Sequence, residues 1–115
     1  MKYMLLIYGD EHALSATERE QCYRDSTELA HQLNAAGQYL AASPLQPTST
    51  ATSVRVRDGK PLVIDGPFAE TREQLGGYFL IDVRDLDAAL SWASRCPGAS
   101  HGGVEVRPIW PMGAD

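Results

Sequence analysis

Residues 2–8 read KYMLLIY and residues 78–83 read YFLIDV. In the first, Tyr3, Leu5 and Ile7 fall on one side of the alternation and Met4, Leu6 and Tyr8 on the other. The second is also largely apolar on both sides. A strand covered on both faces reads this way. Two such strands in one sheet require a cover on each side of it.

The first cover follows directly. Residues from about Ala16 to Ala36 carry Cys22, Ser26, Leu29, Leu33 and Ala36 at three- and four-residue spacing, the inward stripe of a helix. Ser15 with Glu18 fits a capping box at its start, with Thr17 and Glu20 as an alternative, and Gly37 is the natural stop. A second helix is expected from Leu86 to about Arg95, with Asp85 as N-cap and Leu86, Ala89, Leu90, Ala93 and Cys96 inward. Pro97-Gly98 ends it.

Shorter strands fill the gaps. Gln38 to Ala42 make one, closed by Ser43-Pro44, and a turn-rich loop runs on to Thr52. Val54-Arg55-Val56-Arg57, the Asp58-Gly59 turn and Leu62-Val63-Ile64 read as a hairpin. Asp65-Gly66-Pro67-Phe68 breaks the pattern, and a polar connection leads to Gly76-Gly77. Val104 to Arg107 is the last strand.

The order is strand, helix, strand, hairpin, strand, helix, strand. It predicts one α+β domain over residues 1–115, a ferredoxin-like βαβ(hairpin)βαβ sandwich. Both helices then share one face of the sheet. The other face is apolar and uncovered, and in so short a chain only a second subunit supplies the missing cover. A homodimer is therefore expected.

Composition narrows the function. Of the 115 residues 43% are hydrophobic and 22% charged, a globular mixture. The net charge is −5, with Lys and Arg scattered, which argues against a nucleic-acid partner. No segment approaches transmembrane length, so no membrane partner is expected. The apolar start is too short for a signal peptide and lacks a basic n-region, making the cytoplasm the expected compartment. Cys22 and Cys96 both fall on helix faces and read as inert thiols. No His or Cys stands at zinc spacing, and no phosphate loop, dinucleotide fingerprint or nucleophile elbow occurs, so neither metal nor cofactor is expected.

The run Asp65 to Gly77, DGPFAETREQLGG, resembles the signature of the DGPF family, a branch of the YCII-related proteins. The opening MKYMLLIYGDE, Ala36-Gly37, the stretch from Ala51 to Arg55, Leu86 to Leu90 and Val104 to Pro108 resemble other segments of that family. The resemblance implies a dimeric α/β barrel of two ferredoxin-like sheets. It leaves function mostly unassigned. Relatives in the wider group are proposed to be enzymes with a His–Asp pair, and one branch carries out dehydrochlorination. DGPF members are often encoded beside extracytoplasmic-function sigma factors. In the YCII branch a helical His lies about eleven residues before the glycine that ends the first helix. That position is Ser26 here, beside Asp25, and His31 is out of phase with it. The dyad does not carry over. Arg72 stands where Lys is common, which keeps the charge and changes the donor geometry.

Asp65 is the first site candidate. It stands where a strand breaks into a Gly-Pro turn, placed for a general base if partly buried, or for capping the turn through backbone N–H groups. His12, close in sequence to Tyr8 and Asp10, is the second catalytic candidate. Arg72 is read as an anion-holding fork, and Tyr8 and Arg107 as further substrate contacts. An ion pair is the plainer reading of both arginines. His31 and His101 read as surface residues, and Trp92 and Trp110 as cover for a helix or an interface. Three functions stay open. One is an enzyme acting on a small organic molecule by acid/base chemistry. The second is a small-molecule binding or sensing module. The third is an accessory protein of sigma-factor regulation.

Overall fold

In the computed structural model, which describes residues 1–113, the strand that reads KYMLLIY becomes β1 (Lys2–Gly9) and lies inside a four-stranded antiparallel sheet. One neighbour is β5 (Gln74–Asp82) and the other β6 (Gly103–Pro108). Strand β2 (Tyr39–Pro44) closes the far edge, giving the order β2-β5-β1-β6. This is the strand order of a ferredoxin-like sheet. The register pairs Leu5 with Phe79 and with Val106. The two apolar strands foreseen from the sequence are thus central neighbours, which is why both are apolar throughout.

Helices α1 (Ala16–Ala35) and α2 (Leu86–Ser94) and a single turn α3 (Gly98–His101) complete the body. The core is one cluster: Tyr3, Leu5, Phe79, Ile81 and Val83 from the sheet side meet Leu29, Leu33, Ala89, Ala93 and Cys96. Both long helices therefore share one face. On the other face Met4, Leu6, Tyr78 and Leu80 are half-buried.

The ends of α1 follow the sequence closely. Ser15 Oγ accepts the Glu18 N–H at 3.1 Å, and the Glu18 carboxylate accepts the Ser15 N–H at 3.0 Å. Those bonds hold the Glu18 carboxyl below the usual range. At the other end Gly37 sits at φ 73°, Gln38 N–H donates to Leu33 C=O and Gly37 N–H to Asn34 C=O, a Schellman closure. Replacing Ser15 by Ala is expected to cost about 1 kcal/mol, read as a lower denaturation midpoint with an unchanged slope.

The inward stripes are shorter than the sequence suggested. In α1 only Leu29 and Leu33 are buried; Cys22 and Ser26 are half-buried and Ala36 is exposed as the C-cap. In α2 the buried positions are Ala89 and Ala93, continued by Cys96, while Leu86 and Leu90 are exposed. The helix is rolled toward Trp92, which lies on the far flank of the Ala89–Ala93 stripe from the leucines and packs partly buried against the core, its indole N–H donating to Gln38 Oε1 at 2.7 Å. Leu86 and Leu90, on the other flank, turn outward.

Burial pushes the Cys96 thiol up to about 11. The neutral thiol is thus favoured in the folded chain. Its contribution is fully present below the ordinary thiol value near 9 and is lost as pH rises from there through 11. With one unit equal to about 1.4 kcal/mol, the loss is on the order of 2–3 kcal/mol. The expected result is a melting temperature that falls across this alkaline window in the parent and falls less in Cys96→Ala.

The hairpin forms where the sequence placed it. Strands β3 (Thr52–Arg57) and β4 (Lys60–Asp65) pair across Asp58 and Gly59, whose φ values of 52° and 74° fit a type I′ turn. It does not join the main sheet, however, and stands as a separate two-stranded unit. No helix among the described residues is long and apolar enough to cross a membrane.

Candidate functional site

The site is built at the end of β1. Beyond Gly9 the chain turns through Asp10 to Leu14 into α1. Asp10 Oδ1 accepts the His12 backbone N–H at 2.9 Å, and Arg72 Nε lies 3.5 Å from Oδ2. The His12 N–H foremost, with Arg72 adding, holds the Asp10 carboxyl below the usual range against an opposing effect of desolvation. Glu11 reaches across to the 48–50 turn, where its two oxygens accept the Thr48 N–H at 2.7 Å and the Thr48 hydroxyl at 2.8 Å. That double bond is part-buried and fixes one wall.

The opposite wall is the break after β4. Gly66 has φ 114°, a conformation open to glycine and strained for other residues. Its N–H donates to Ala51 C=O at 2.8 Å, and its C=O accepts the Ser53 hydroxyl at 2.6 Å. These bonds hold the turn. The Asp65 carboxylate takes no part in them and makes no hydrogen bond or ion pair among the described residues. It is exposed at the rim rather than partly buried.

Between these walls, along one flank of α1 from Arg19 to Asn34, lies a cleft of about 1440 Å³. Ile7, Tyr39 and Phe79 form part of an apolar floor, Tyr23 and Leu14 line its sides, and Asp65, Glu70 and His12 bring polar groups to it. Such a mixture, apolar walls with a few convergent polar groups, is that of a small-molecule site. The volume exceeds the roughly 300–1,000 Å³ of closed ligand sites, because the cleft opens widely to one side.

Of the residues singled out from sequence, Asp65, His12 and Tyr8 line this one cleft. Arg72 stands just outside it, its side chain 90% exposed and tied to Asp10. Arg107 is elsewhere. It pairs with Glu105 at 2.5 Å on β6, on the sheet face opposite the helices. Alternation along β1 and β6 puts Tyr8 on that face too, and the Glu105 carboxylate, with a smaller share from Tyr8, holds the Arg107 guanidinium more firmly charged. Tyr8 thus borders both the cleft and the open face.

His31 and His101, read from sequence as surface residues, are exposed and also line the cleft. His101 is carried in by α3, a turn hidden by its Pro97-Gly98 start, which read as a terminator. Among the described residues no three of His, Cys, Asp and Glu gather closely enough to hold a metal. The two cysteines are free, Cys22 half-buried at the cleft and Cys96 in the core.

Gly102 secures the floor. A Cβ there would meet the Tyr8 carbonyl oxygen in collision and lie 2.9 Å from Gly9 Cα. Both are backbone atoms, so nothing yields cheaply. Gly102→Ala is expected to cost about 1–3 kcal/mol and to move the Tyr8-Gly9 end of β1, seen as shifted amide resonances of residues 8–12.

A solved structure of 5-chloro-2-hydroxyhydroquinone dehydrochlorinase from Burkholderia phenoliruptrix AC1100, in complex with 2,5-dihydroxybenzoquinone, superposes with a TM-score of 0.60 over 99% of this chain and 97% of that one. At 13% identity it shows a shared fold. An uncharacterized protein of Rhizobium meliloti (strain 1021) is 41% identical over 114 residues, 95% of this chain and 92% of that protein. The YCII-related domain matches residues 1–113, and with that match the chain belongs to the YCII-related domain family.

Proposed function

We propose that the cleft along α1 binds a small, largely apolar organic molecule and that Asp65 acts on it as a general base. The carrying observation is Asp65: it lines the cleft, its carboxylate has no partner among the described residues, and other groups hold its turn. A charged group so placed at the rim of a largely apolar cleft is available to a ligand. In this reading Asp65 takes a proton from the bound molecule and His12 returns one to it. Tyr8 contacts the ligand, and Arg72 positions the loop through Asp10 and offers its remaining donors to an anionic ligand group. That the neighbour of like fold is a dehydrochlorinase bound to a quinone supports a small-molecule substrate.

The protomers of this reading pair through the open sheet faces, as a dimeric α/β barrel. Met4, Leu6, Tyr78 and Leu80 are apolar positions with no helix above them. Arg107 and Glu105 then lie in or beside the interface.

A binding module without chemistry is the second reading, favoured by the exposure of Asp65. Catalytic carboxylates usually work from desolvated positions. The two are separated by a melting-temperature screen of small hydroxylated aromatics, with 2,5-dihydroxybenzoquinone among the probes. A compound that raises the melting temperature and shifts the resonances of His12 and Gly66 supports the cleft as the site. Conversion of that compound supports the first reading, and its unchanged recovery supports the second. A stabilising compound that shifts only residues remote from the cleft would remove both.

A further inference from the structure

We infer that the β3–β4 hairpin is an exchange arm that docks on the second subunit of a homodimer. The inference rests on the pairing proposed above and goes beyond it by naming a surface outside the sheet. Val54, Val56 and Val63 lie on one side of the hairpin, Leu62 and Ile64 on the other, and all five are about half exposed or more. Val63 reaches 64% and Val56 60%. At its root Phe68, 65% exposed, stacks under Arg55 at 4.7 Å. A lone two-stranded hairpin is marginal in water, and one apolar on both sides with two free edges needs a cover.

The surface area says how much the chain as a whole, arm and open sheet face together, leaves uncovered. A compact monomer of this mass exposes about 6,200 Å² by the usual scaling. This chain exposes 7952 Å², an excess of roughly 1,700 Å². The radius of gyration agrees: 15.8 Å, against about 13 Å for a compact chain of this length. Two chains each burying the excess would hide about 3,400 Å² in total, within the range of obligate homodimers. A second copy is the natural occupant, because an isologous pair covers both arms at once. Charge favours it as well. From Val54 to Val63 the arm carries Arg55, Arg57 and Lys60 against Asp58, a balance of +2, so with a net charge of −5 the rest of the chain stands at −7. A basic arm meets an acidic body.

The arm also springs from the cleft: β4 ends at Asp65, and Asp65, Gly66 and Pro67 line the cavity. Seating the arm on a partner therefore fixes the strand that carries Asp65.

The test compares four proteins by light scattering over a dilution series, with circular dichroism to verify folding. They are the parent, Val56→Glu, Leu6→Glu on the open sheet face, and a chain whose residues 55–62 are replaced by Asn-Gly. The parent is expected to be a dimer. Val56→Glu and the shortened arm are expected to dissociate at least about a hundredfold more readily while keeping their helical signal. If both arm variants dimerise like the parent while Leu6→Glu is monomeric, the sheet pairing stands and the arm inference is overturned. A parent that is monomeric throughout overturns the pairing itself and the arm with it. Should the shortened chain fail to fold, Val56→Glu decides alone, since Val56 is exposed and makes no core contact.

Discussion

Leu33→Ala is expected to lower stability by about 3 kcal/mol, within the roughly 2–5 kcal/mol of fully buried leucines. Leu33 is 0% exposed and is one of two buried α1 side chains. The loss combines the transfer of the missing atoms with the cavity they leave. The sheet cannot close that cavity, because Leu5 and Ile81, also 0% exposed, are held in register by strands on both sides. Against a total stability of about 5–15 kcal/mol for an ordinary domain, this is a large fraction. It corresponds to a fall in melting temperature of roughly 10–20 °C. Leu90→Ala is the informative companion. Spacing alone makes Leu33 and Leu90 equivalent, each an inward leucine of its helix. Leu90 is 47% exposed, so its loss is expected to cost under about 1 kcal/mol. Equal losses at the two positions would show that α2 is rotated from the orientation described. A dimer that buries Leu90 would raise its cost only above the dissociation midpoint, which a concentration series detects.

The contrast between those leucines marks where the sequence is legible. Periodicity reports that a helix is amphipathic and roughly which side is inward. It does not report how the helix is rolled within that side. Ala89, Ala93 and Cys96 centre the inward face of α2 and Trp92 packs on one flank of it, which turns Leu86 and Leu90, on the other flank, outward. Strand pairing was more readable, because β1 and β5 carry apolar residues on both faces, as strands covered on both sides do. Local signals read best of all. The Ser15–Glu18 box, Gly37 and Asp58-Gly59 act through backbone geometry within a few residues and need no tertiary context.

The cleft is the opposite case. It runs along a flank of α1, past Cys22 and Ser26, two positions that the sequence assigned to the inward stripe and that line the cleft instead. Asp65, His12 and Tyr8 were found because they flank breaks in strands, and breaks collect at one end of a ferredoxin-like sheet. His31 and His101 read as surface residues, which they are, and neither has a neighbour in sequence that ties it to the cleft. Only the fold brings them to the same cavity. Arg107 was grouped with the cleft because it lies on a strand leading to it. The alternation on β6 instead places it over Met4, on the open face.

Asp65→Asn is expected to abolish function and spare the fold. The substitution keeps the shape of the side chain and removes its charge and basicity. Two readings of Asp65 were open from sequence, a base and a turn cap, and they predict opposite outcomes. A cap would lose about 1 kcal/mol on replacement and leave binding intact. The structure gives the cap's role to other atoms: Ser53 Oγ donates to Gly66 C=O at 2.6 Å, and Gly66 N–H donates to Ala51 C=O at 2.8 Å. Asp65→Asn is therefore expected to melt close to the parent. Ser53→Ala, which removes a bond holding the turn, is expected to lose about 1 kcal/mol. With a compound identified by the melting screen, turnover in Asp65→Asn should fall by roughly 10²–10⁴, the usual contribution of a general base. His12→Gln should show a smaller fall that grows where protonation of the product limits the rate. If the chain only binds, the affinity of Asp65→Asn changes and no turnover exists to lose. If Asp65→Asn instead melts lower and binds as the parent does, Asp65 is a cap and leaves the site. The proton would then have to be taken by another carboxylate of the cleft, and Glu70, which also lines it, is the one to replace next.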